Sequence, residues 1–536
     1  MSVDSIQEAS AAYAAGRASL QDEDLDGAVE HFRRATVLDP QNALAHRDIA
    51  LVELSRNHFI AGELAYRQAL RLNPRFRSAH INLAAILTLT GRRETALAHL
   101  RELLAANDDA PDIFSNYLFA LIHSNQDTRE AIFAEHVRFG EGLAAKLPSA
   151  APHDNLPDPE RRLKLGYVSA DVGRHILALM LEPVLRAHDR RRFEVFIYDN
   201  APREAPRSLP RECVDHWIEV AGLDDAALAD RVRADGIDIL VDLSGHARGN
   251  RLPAFARKPA PVQASWMGYP FTTGVRAIDY RICDARQIGS ATASLLVEEP
   301  FIVAGASVAF VPPEEPAPAP PPSAANGYVT FGSVNSLDKV DDAVLALWAE
   351  VLRTVPTSRF LIKAHGLHDE RLQKRLSERL ARLGVAPQRL IFEGGSSVGA
   401  FLESLSRIDI GLDTFPYTGG STTRYTIWMG VPLVTLEGVA LYERFSGAIL
   451  REAGLGECVA ADPAAYVAAA ARLAADIPRL TELRRDLRPR MRASALCDVA
   501  GQAGRLEDAY REMWRRWCAR HRAGDDAGRG QGRERI

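Results

Sequence analysis

The sequence predicts a superhelix of helical repeats followed by two α/β domains, each a doubly wound parallel sheet of Rossmann-like type. Three observations predict this: a 34-residue period in the first hundred residues, two regions where apolar strand-like runs alternate with helical patterns, and a proline-rich segment between those regions. Alternation of this kind is typical of parallel sheets covered by helices on both faces. The chain of 536 residues is long enough for roughly three domains.

The composition is that of a soluble globular protein, with 47% hydrophobic and 25% charged residues. A net charge of −5 argues against a dedicated nucleic-acid binder, because such proteins usually carry a basic surplus. The five cysteines form no CxxC pair, which disfavours a disulfide framework or a Cys-rich zinc site and predicts a cytoplasmic protein. We expect no signal peptide and no membrane span, since no apolar run reaches about 18 residues.

The N-terminal repeat has the tetratricopeptide (TPR) pattern. Pro40 and Pro74 lie 34 residues apart, and Ala28, Gly62 and Ala96 recur at the same spacing. Small residues let two antiparallel helices approach closely, and the proline ends the second helix of a pair. About three repeats are predicted within residues 1–110. Their concave surface would bind a partner protein; a spacer or a dimer contact is the alternative.

The remaining chain divides by composition. Residues 111–160 are predicted to be a helical extension and a linker, and 161–311 the first α/β half. A proline-rich linker at 312–327 cannot join a sheet and separates this half from the second, at 328–520. The Gly- and Arg-rich end, 521–536, is predicted to be a disordered tail. Strands are expected at Leu163–Ser169, Phe193–Tyr198, Ile237–Leu243, Val262–Trp266 and Tyr280–Cys283, then at Tyr328–Gly332, Phe360–Ala364, Leu390–Gly394, Ile408–Leu412 and Leu433–Leu436.

A candidate phosphate site lies in the stretch DTFPYTGGSTTRYTIWMG, Asp413–Gly430. An apolar strand-like run precedes it, the pair Gly419-Gly420 breaks the strand, and hydroxyl residues then begin a helical pattern. Free N–H groups and the positive end of the helix dipole bind phosphate at such a helix start. An ordinary strand–turn–helix with a hydroxyl cap is the alternative, because such turns are common.

Other polar loops follow predicted strands and would face the same cleft, since ligands in doubly wound sheets bind at the carboxyl ends of the strands. In this cleft Lys339 would supply a point charge to a diphosphate, and His175 could poise an acceptor hydroxyl. Each histidine alone is more often structural. His136, on a predicted helix, is interpreted as a packed surface histidine and not a ligand.

Several familiar motifs are missing from the sequence. It has no Walker-A motif, no HExxH, no GxSxG and no GxGxxG after a strand. Its one acidic D-x-D run falls within the helical repeats. We therefore expect the charge of a diphosphate to be neutralised by lysine, hydroxyls and dipoles, with no metal.

Four segments resemble the family of TPR-linked O-GlcNAc transferases: LKLGYVSADVGRH, DGIDILVDLSGHARGNRLPAFARKPAPVQASWMGYPFTTG, YVTFGSVNSLDKV and IDIGLDTFPYTGGSTTRYTIWMGVPLVTLEG. The resemblance covers nearly the whole chain. It implies a metal-independent GT-B glycosyltransferase whose two halves enclose the donor. The implied reaction is inverting transfer of a sugar, with GlcNAc from UDP-GlcNAc as the first expectation, to a Ser or Thr of a protein acceptor presented by the TPR surface. It implies no cofactor beyond the nucleotide-sugar substrate and leaves a homodimer open.

The resemblance also assigns roles to positions of this chain. His175 would be the active-site histidine near the sugar and acceptor, and Lys339 would bind the diphosphate and stabilise the leaving group. Asp235 stands where an active-site aspartate has been considered. The expected substrate-binding positions are Ser336, Gly420, Ser421, Thr422, Tyr425, His246 and Tyr269.

The expected nucleoside-binding positions depart from the family pattern. Phe401 replaces a histidine, Tyr425 an acidic residue that binds ribose hydroxyls, Ser336 a Gln or Asn, and Val398 a lysine of some members. Losing a charge-assisted acceptor changes nucleotide affinity or identity. Two alternatives to GlcNAc transfer therefore remain. One is a related transferase with another donor, such as a hexose or a nonulosonic acid for flagellin, and the other is a TPR scaffold with an inactive transferase domain.

Overall fold

The N-terminal region is a stack of helical pairs. The computed structural model describes residues 3–106, 110–149, 151–173, 175–202, 205–312, 316 and 319–533. In this region it contains helices α1 (Val3–Gln21), α2 (Leu25–Leu38), α3 (Ala43–Ser55), α4 (Phe59–Leu72), α5 (Arg77–Leu89) and α6 (Arg93–Ala106). The recurring small residues Ala28, Gly62 and Ala96 are buried. A Cβ on Gly62 would lie 3.3 Å from the carbonyl oxygen of Ala50, so the close approach of these helices depends on a small residue. The pairs confirm the predicted TPR-like region.

Two further helices, α7 (Pro111–Leu121) and α8 (Arg129–Ala144), carry the chain from the repeats to the first α/β half. The contact between α8 and that half is close at Gly140. A Cβ there would lie 1.8 Å from the carbonyl oxygen of Gly274, so only glycine fits. The helical extension is therefore packed directly on the α/β region.

The first half is built on a parallel sheet. Its described strands are β1 (Leu163–Ser169), β2 (Phe193–Asp199), β3 (His216–Glu219), β4 (Ile239–Asp242), β5 (Val262–Ser265), β6 (Tyr280–Asp284) and β7 (Glu299–Val303), in the spatial order β3-β2-β1-β4-β5-β6-β7. Its helices are α9 (Ile176–Ala187), α10 (Asp225–Ala234), α11 (Leu252–Ala256) and α12 (Ser290–Ala293). All the strand pairs run parallel. The sequence did not predict β3 and β7, because these edge strands are partly exposed and lack an unbroken apolar run.

The second half repeats this architecture. Its described strands are β8 (Thr330–Ser333), β9 (Arg359–Lys363), β10 (Leu390–Glu393), β11 (Ile410–Leu412), β12 (Leu433–Leu436) and β13 (Val459–Ala460), in the order β10-β9-β8-β11-β12-β13. Its helices are α13 (Ser323–Asn326), α14 (Asp342–Thr354), α15 (Glu370–Arg382), α16 (Val398–Ser406), α17 (Ser421–Trp428), α18 (Phe445–Glu452), α19 (Pro463–Ala474) and α20 (Ile477–Ala493). The two parallel sheets confirm the predicted fold class.

The end of the proline-rich segment is anchored to the second half. The backbone N–H and hydroxyl of Ser323, at the start of α13, both donate to Oδ1 of Asp409 over 3.0 and 2.8 Å. Residues 313–315, 317 and 318 of the predicted linker lie outside the described residues.

The last helix, α21 (Val499–Arg533), spans the end of the predicted second half and the start of the predicted tail. Its buried residues Leu506, Tyr510 and Trp514 belong to the core of the first half, together with residues such as Leu165, so the end of the predicted second half returns to the first. The helix also extends over residues 521–533 of the predicted disordered tail, 521–536. Residues 534–536 lie outside the described residues. Across the described residues, helices that could span a bilayer are absent.

Candidate active site

A cleft of about 470 Å³ lies between the two halves, at the carboxyl ends of their strands. Its lining from the first half is His175, Ile176, Leu179 and Ser208, and from the second half Val334, Lys363, Ala364, His365, Gly395, Ser396, Val398, Phe401 and Tyr425. These residues follow β1, β2, β8, β9 and β10 or lie in the first turns of α9, α16 and α17. This is where ligands bind in doubly wound sheets. Of the residues predicted from the sequence, His175 and Tyr425 line the cleft.

His175 is held at the N-terminus of α9. Its Nδ1 accepts a 3.3 Å hydrogen bond from the backbone N–H of Leu177 and lies 3.7 Å from Oδ2 of Asp171. The side chain is 48% exposed. Because Nδ1 accepts, the proton of the neutral ring is on Nε2, which makes that atom a donor. Burial raises the pKa of Asp171, and the charge of His175 opposes that rise.

The turn before α17 has the features expected of a phosphate site. The N–H of Gly419 donates to Oδ1 of Asp413 over 3.0 Å, which fixes the bend of the chain. A Cβ on Gly419 would lie 2.2 Å from Oγ1 of Thr423, so a larger residue does not fit. Gly420, at the N-cap, has open space where a Cβ would be and no side chain to accept from the first turn. The N–H groups that begin α17 are therefore uncapped by this residue.

The hydroxyl residues of the turn differ in whether they already donate a hydrogen bond within the protein. Thr422 Oγ1 donates to Oδ1 of Asn335 over 3.0 Å, so its proton is already used within the protein. Ser421 begins the helix beside Gly420 and is partly exposed. Ser421 is thus the hydroxyl better placed to reach a phosphate.

Lys339 lies beside this turn. It ends the single 3₁₀ turn Leu337–Lys339, which Ser336 precedes as its N-cap. Its Nζ donates to the carbonyl oxygen of Thr418 over 2.9 Å and lies 3.9 Å from the ring centroid of Tyr417. Burial lowers the pKa of Lys339, while the charges of Asp338 and Asp413 raise it. The structure therefore brings the predicted lysine to the predicted phosphate turn.

An aromatic wall replaces the expected ribose carboxylate. Tyr425 is only 8% exposed, and its ring lies edge-on at 5.7 Å from that of Phe401 and at 5.0 Å from that of Phe310. Burial raises its pKa, so the phenol stays neutral. Beside this wall the side chain of Val398 is 44% exposed. This side of the cleft offers apolar surface and one phenol in place of a charge.

Asp235 is not among the residues that line the cleft, and its predicted catalytic role stays a prediction. It ends α10 and accepts from the hydroxyl of Tyr198 over 2.8 Å and from Nε of Arg231 over 2.9 Å. Together with Lys164 it borders a separate groove near the amino end of β1. The physical reason is its position in the chain, because it precedes β4 whereas the cleft forms where strands end.

His246 and Tyr269 are buried and are not among the residues that line the cleft, and their predicted substrate-binding roles stay predictions. His246 donates from Nε2 to the carbonyl oxygen of Thr273 over 2.9 Å and pairs through Nδ1 with the hydroxyl of Ser115 at 3.0 Å. The hydroxyl of Tyr269 and Nε2 of His136 are 2.8 Å apart. These buried contacts join α7 and α8 to the first half. His136 is thus fully buried and not on the surface.

Sequence reasoning missed Lys363 and His365, which follow β9 and line the cleft. Lys363 is buried, donates to the carbonyl oxygen of Gly394 over 3.0 Å and has a pKa lowered by burial. It also missed Asn335 and Asp413 as the residues that shape the phosphate turn. The rule that ligands gather where strands end would have identified the residues after β9 as well as those after β1 and β8.

Comparisons with known proteins agree with this fold. The model of Glycosyl transferase family 41 matches residues 114–298 and 322–506. The O-GlcNAc transferase of Thermobaculum terrenum, solved as a lysine-to-methionine mutant, has a TM-score of 0.89 to this chain at 34% identity, over 97% of this chain and 100% of that one.

Curated relatives include plant proteins. The probable UDP-N-acetylglucosamine–peptide N-acetylglucosaminyltransferase SPINDLY of Solanum lycopersicum is 35% identical, over 77% of this chain and 45% of its own length. The probable enzyme SEC of Arabidopsis thaliana is 29% identical, over 67% of this chain and 38% of its own length. The chain thus spans less than half the length of these plant relatives. Since the family model matches both α/β halves and the helix before them, the chain belongs to glycosyl transferase family 41.

Proposed function

We propose that this chain is a protein O-glycosyltransferase that moves a sugar from a nucleotide-sugar donor to a Ser or Thr hydroxyl of a protein. The observation that carries the proposal is the meeting of Lys339 with the uncapped turn before α17, next to a cleft that contains His175. The names of the relatives support GlcNAc as the sugar and UDP-GlcNAc as the donor.

The phosphate turn and Lys339 would act on the leaving group. When the bond between the sugar and the β-phosphate breaks, negative charge grows on the nucleoside diphosphate. Fixed N–H groups and a positive charge that face this growing charge stabilise the transition state more than the ground state. Because the protein supplies this stabilisation from Lys339 and α17, we expect transfer to continue in EDTA.

His175 would act on the other side of the sugar. The acceptor hydroxyl attacks the anomeric carbon as the bond to phosphate breaks, and its proton passes to water or to an oxygen of the leaving diphosphate. A single displacement of this kind inverts the configuration. With its proton on Nε2, the neutral ring is a donor that can hold an acceptor or sugar oxygen in line.

The TPR-like region would present the protein acceptor. The helical pairs α1–α6 precede α7 and α8, which join the repeat region to the first half. The predicted homodimer and the predicted cytoplasmic location stay predictions.

Transfer of radiolabelled sugar to endogenous proteins tests the proposal. Wild type should label an acceptor and Lys339→Ala should not. Lys374→Ala, which removes an exposed lysine on α15, is the matched control and should label as wild type does. Equal labelling by Lys339→Ala and wild type would contradict the proposal. If no nucleotide sugar is transferred and no nucleotide stabilises the protein, the chain is a scaffold with an inactive transferase domain.

A transferase with a different donor is the second candidate function, favoured by the aromatic wall at Tyr425 and Phe401. A neutral phenol against an aromatic edge cannot form the charge-assisted bonds that a carboxylate makes with ribose hydroxyls. A thermal-shift panel of nucleotides and nucleotide sugars separates the two, because a ligand stabilises according to its affinity. Selective stabilisation by UDP-GlcNAc would eliminate the second candidate; preference for another base or sugar would establish it.

A further inference from the structure

The turn that contains Lys339 is hydrogen-bonded to α6, the last helix of the repeat region. Arg93, the first residue of α6, is 5% exposed, and its guanidinium donates to the carbonyl oxygen of Asp338 over 2.6 Å and to Oδ2 of Asp341 over 2.9 Å. These two acceptors lie on either side of Lys339 in the sequence. The repeat region therefore bonds to the chain immediately before and after the lysine.

The loop after α7 also contacts the residues around Lys339. His123 is 1% exposed, and its Nδ1 donates to the carbonyl oxygen of Phe119 over 2.8 Å. Its Nε2 lies 3.8 Å from Oδ2 of Asp338, and its ring centroid lies 4.7 Å from that of Tyr417. Tyr417 in turn lies under the ammonium group of Lys339, at 3.9 Å. A continuous contact runs from the helical extension to the lysine.

This contact leaves three buried polar atoms without a hydrogen bond to any described residue. Nε of Arg93, Nε2 of His123 and Oδ1 of Asp338 are buried and have no hydrogen-bond partner among the described residues. Unpaired buried polar atoms cost stability, and apolar side chains of similar shape would pack here without that cost. The cluster is better explained by what it does to the adjacent lysine than by its contribution to folding.

We propose that Arg93, His123 and Tyr417 are positioning residues for Lys339, so that the last repeat helix and the helical extension form part of the diphosphate site. The proposal rests on the function proposed above. The ammonium group is fixed by one carbonyl oxygen, that of Thr418, and by the face of Tyr417. A desolvated ammonium over an aromatic face is held more strongly than an exposed one. Without that face it is free to turn away from the leaving group.

Two full-length variants of Tyr417 test this. Tyr417→Leu should lower the affinity for inorganic pyrophosphate and for UDP by about tenfold in calorimetry, because a buried cation–π contact is lost. It should lower kcat more than it raises the KM for donor. Tyr417→Phe keeps the aromatic face and should restore affinity and kcat to within about threefold of wild type. A purely structural role would lower the folded fraction and leave kcat per folded molecule unchanged.

Tyr117→Leu is the matched control. Tyr117 is a buried tyrosine on α7 whose ring lies 5.6 Å from the guanidinium of Arg101, so the variant removes a similar contact from the same region but away from Lys339. It should lower Tm without changing pyrophosphate affinity. His123→Gln should weaken pyrophosphate binding in the same direction as Tyr417→Leu, which keeps the test valid if that variant folds poorly.

The outcomes separate this inference from the proposed function. If Tyr417→Leu and His123→Gln bind pyrophosphate and UDP as Tyr117→Leu does, the positioning role is wrong and the transferase proposal stands. If wild type neither binds these ligands nor transfers any sugar, the proposed function fails and the inference fails with it.

Discussion

The hydroxyl of Thr422 donates a 3.0 Å hydrogen bond to Oδ1 of Asn335, which joins the first turn of α17 to the loop after β8. Asn335 is 4% exposed and donates through Nδ2 to Oδ1 of Asp413 over 3.1 Å. Asp413 also accepts from the N–H of Gly419 over 3.0 Å and from Oγ1 of Thr435 over 2.7 Å. Asn335 therefore hydrogen-bonds to residues on both sides of the phosphate turn, Asp413 before the glycine pair and Thr422 after it.

We expect Asn335→Ala to loosen this turn. The change leaves the buried Asp413 and the hydroxyl of Thr422 each without one partner, and leaving a buried polar group unpaired costs about 1–3 kcal/mol. Urea denaturation should show a loss of that size, and calorimetry should show weaker binding of nucleoside diphosphates.

The control for this variant is Asn116→Ala on α7. Asn116 donates to the carbonyl oxygen of Asp112 near solvent, so its loss removes an amide bond that water can replace. It should change neither stability nor diphosphate affinity by more than about 0.5 kcal/mol. Equal losses in both variants would show that Asn335 does not shape the site.

Removing the charge of Lys339 should affect chemistry more than binding. We expect Lys339→Ala to lower kcat by about 100- to 1,000-fold, the range found when one group that stabilises transition-state charge is removed. Lys339→Arg should restore little, since a planar guanidinium does not fit the place of a compact ammonium over Tyr417. Single-turnover assays with saturating donor separate this effect from binding; a pure increase in KM would contradict it.

The same lysine predicts a pH dependence of donor binding. Burial lowers its pKa from the ordinary lysine value of 10.5, so the ammonium loses its proton at a lower pH than a free lysine does. The affinity for a diphosphate should therefore be full below the lowered pKa and decrease as the pH rises through it. Calorimetry between about pH 7 and pH 10 measures this. In Lys339→Ala the alkaline decrease should disappear.

The sequence predicted the parts of the fold that follow from local patterns. The 34-residue spacing of Ala28, Gly62 and Ala96 located the helical pairs, and buried apolar runs such as β1 located the central strands. The edge strand β3 escaped because its residues are partly exposed and its apolar pattern is short. The return of α21 to the first half could not be predicted, because its apolar face fits either half until both sheets are placed.

The position of a residue could be predicted where it directly follows a strand or begins a helix, as at His175, Lys339 and Gly420, whose functional roles stay predictions. Asp235 precedes its strand and lies away from the cleft. His246 is paired with Ser115, 131 residues away on a helix that sequence alone could not dock. The resemblance to a family indicated which residues to consider. It could not indicate which side chains pack around them in the fold.

Tyr425 should matter for stability as well as for donor choice. Its ring is packed between Phe310 and Phe401 and is 8% exposed. Tyr425→Ala should therefore cost about 3 kcal/mol in the free energy of unfolding, as large-to-small core changes do. Tyr425→Asp would place a carboxylate among these rings and should also be destabilising, because burying an unpaired charge is costly.

Tyr425→Phe is the control, since it keeps the ring and should change stability by less than about 1 kcal/mol. Chemical denaturation measures all three variants. A loss as large for Tyr425→Phe as for Tyr425→Ala would show that the hydroxyl, and not the packing of the ring, holds this wall together.

The buried histidines between the helical extension and the first half should make the protein sensitive to acid. Burial lowers the pKa of His136 to about 4 and holds that of His246 well below the ordinary 6.5. In the unfolded chain both bind a proton near pH 6.5, so the unfolded state gains protons first as the pH falls. Stability is then full above about pH 6.5 and lost toward pH 4, by about 1.4 kcal/mol per pH unit for each histidine.

Urea denaturation over this pH range should show this slope of the free energy of unfolding against pH. His246→Gln should be less stable than wild type at pH 7 but lose stability less steeply on acidification, whereas His31→Gln, at a partly exposed position on α2, should keep the wild-type slope. An unchanged slope in His246→Gln would mean that this histidine is not kept neutral by the fold.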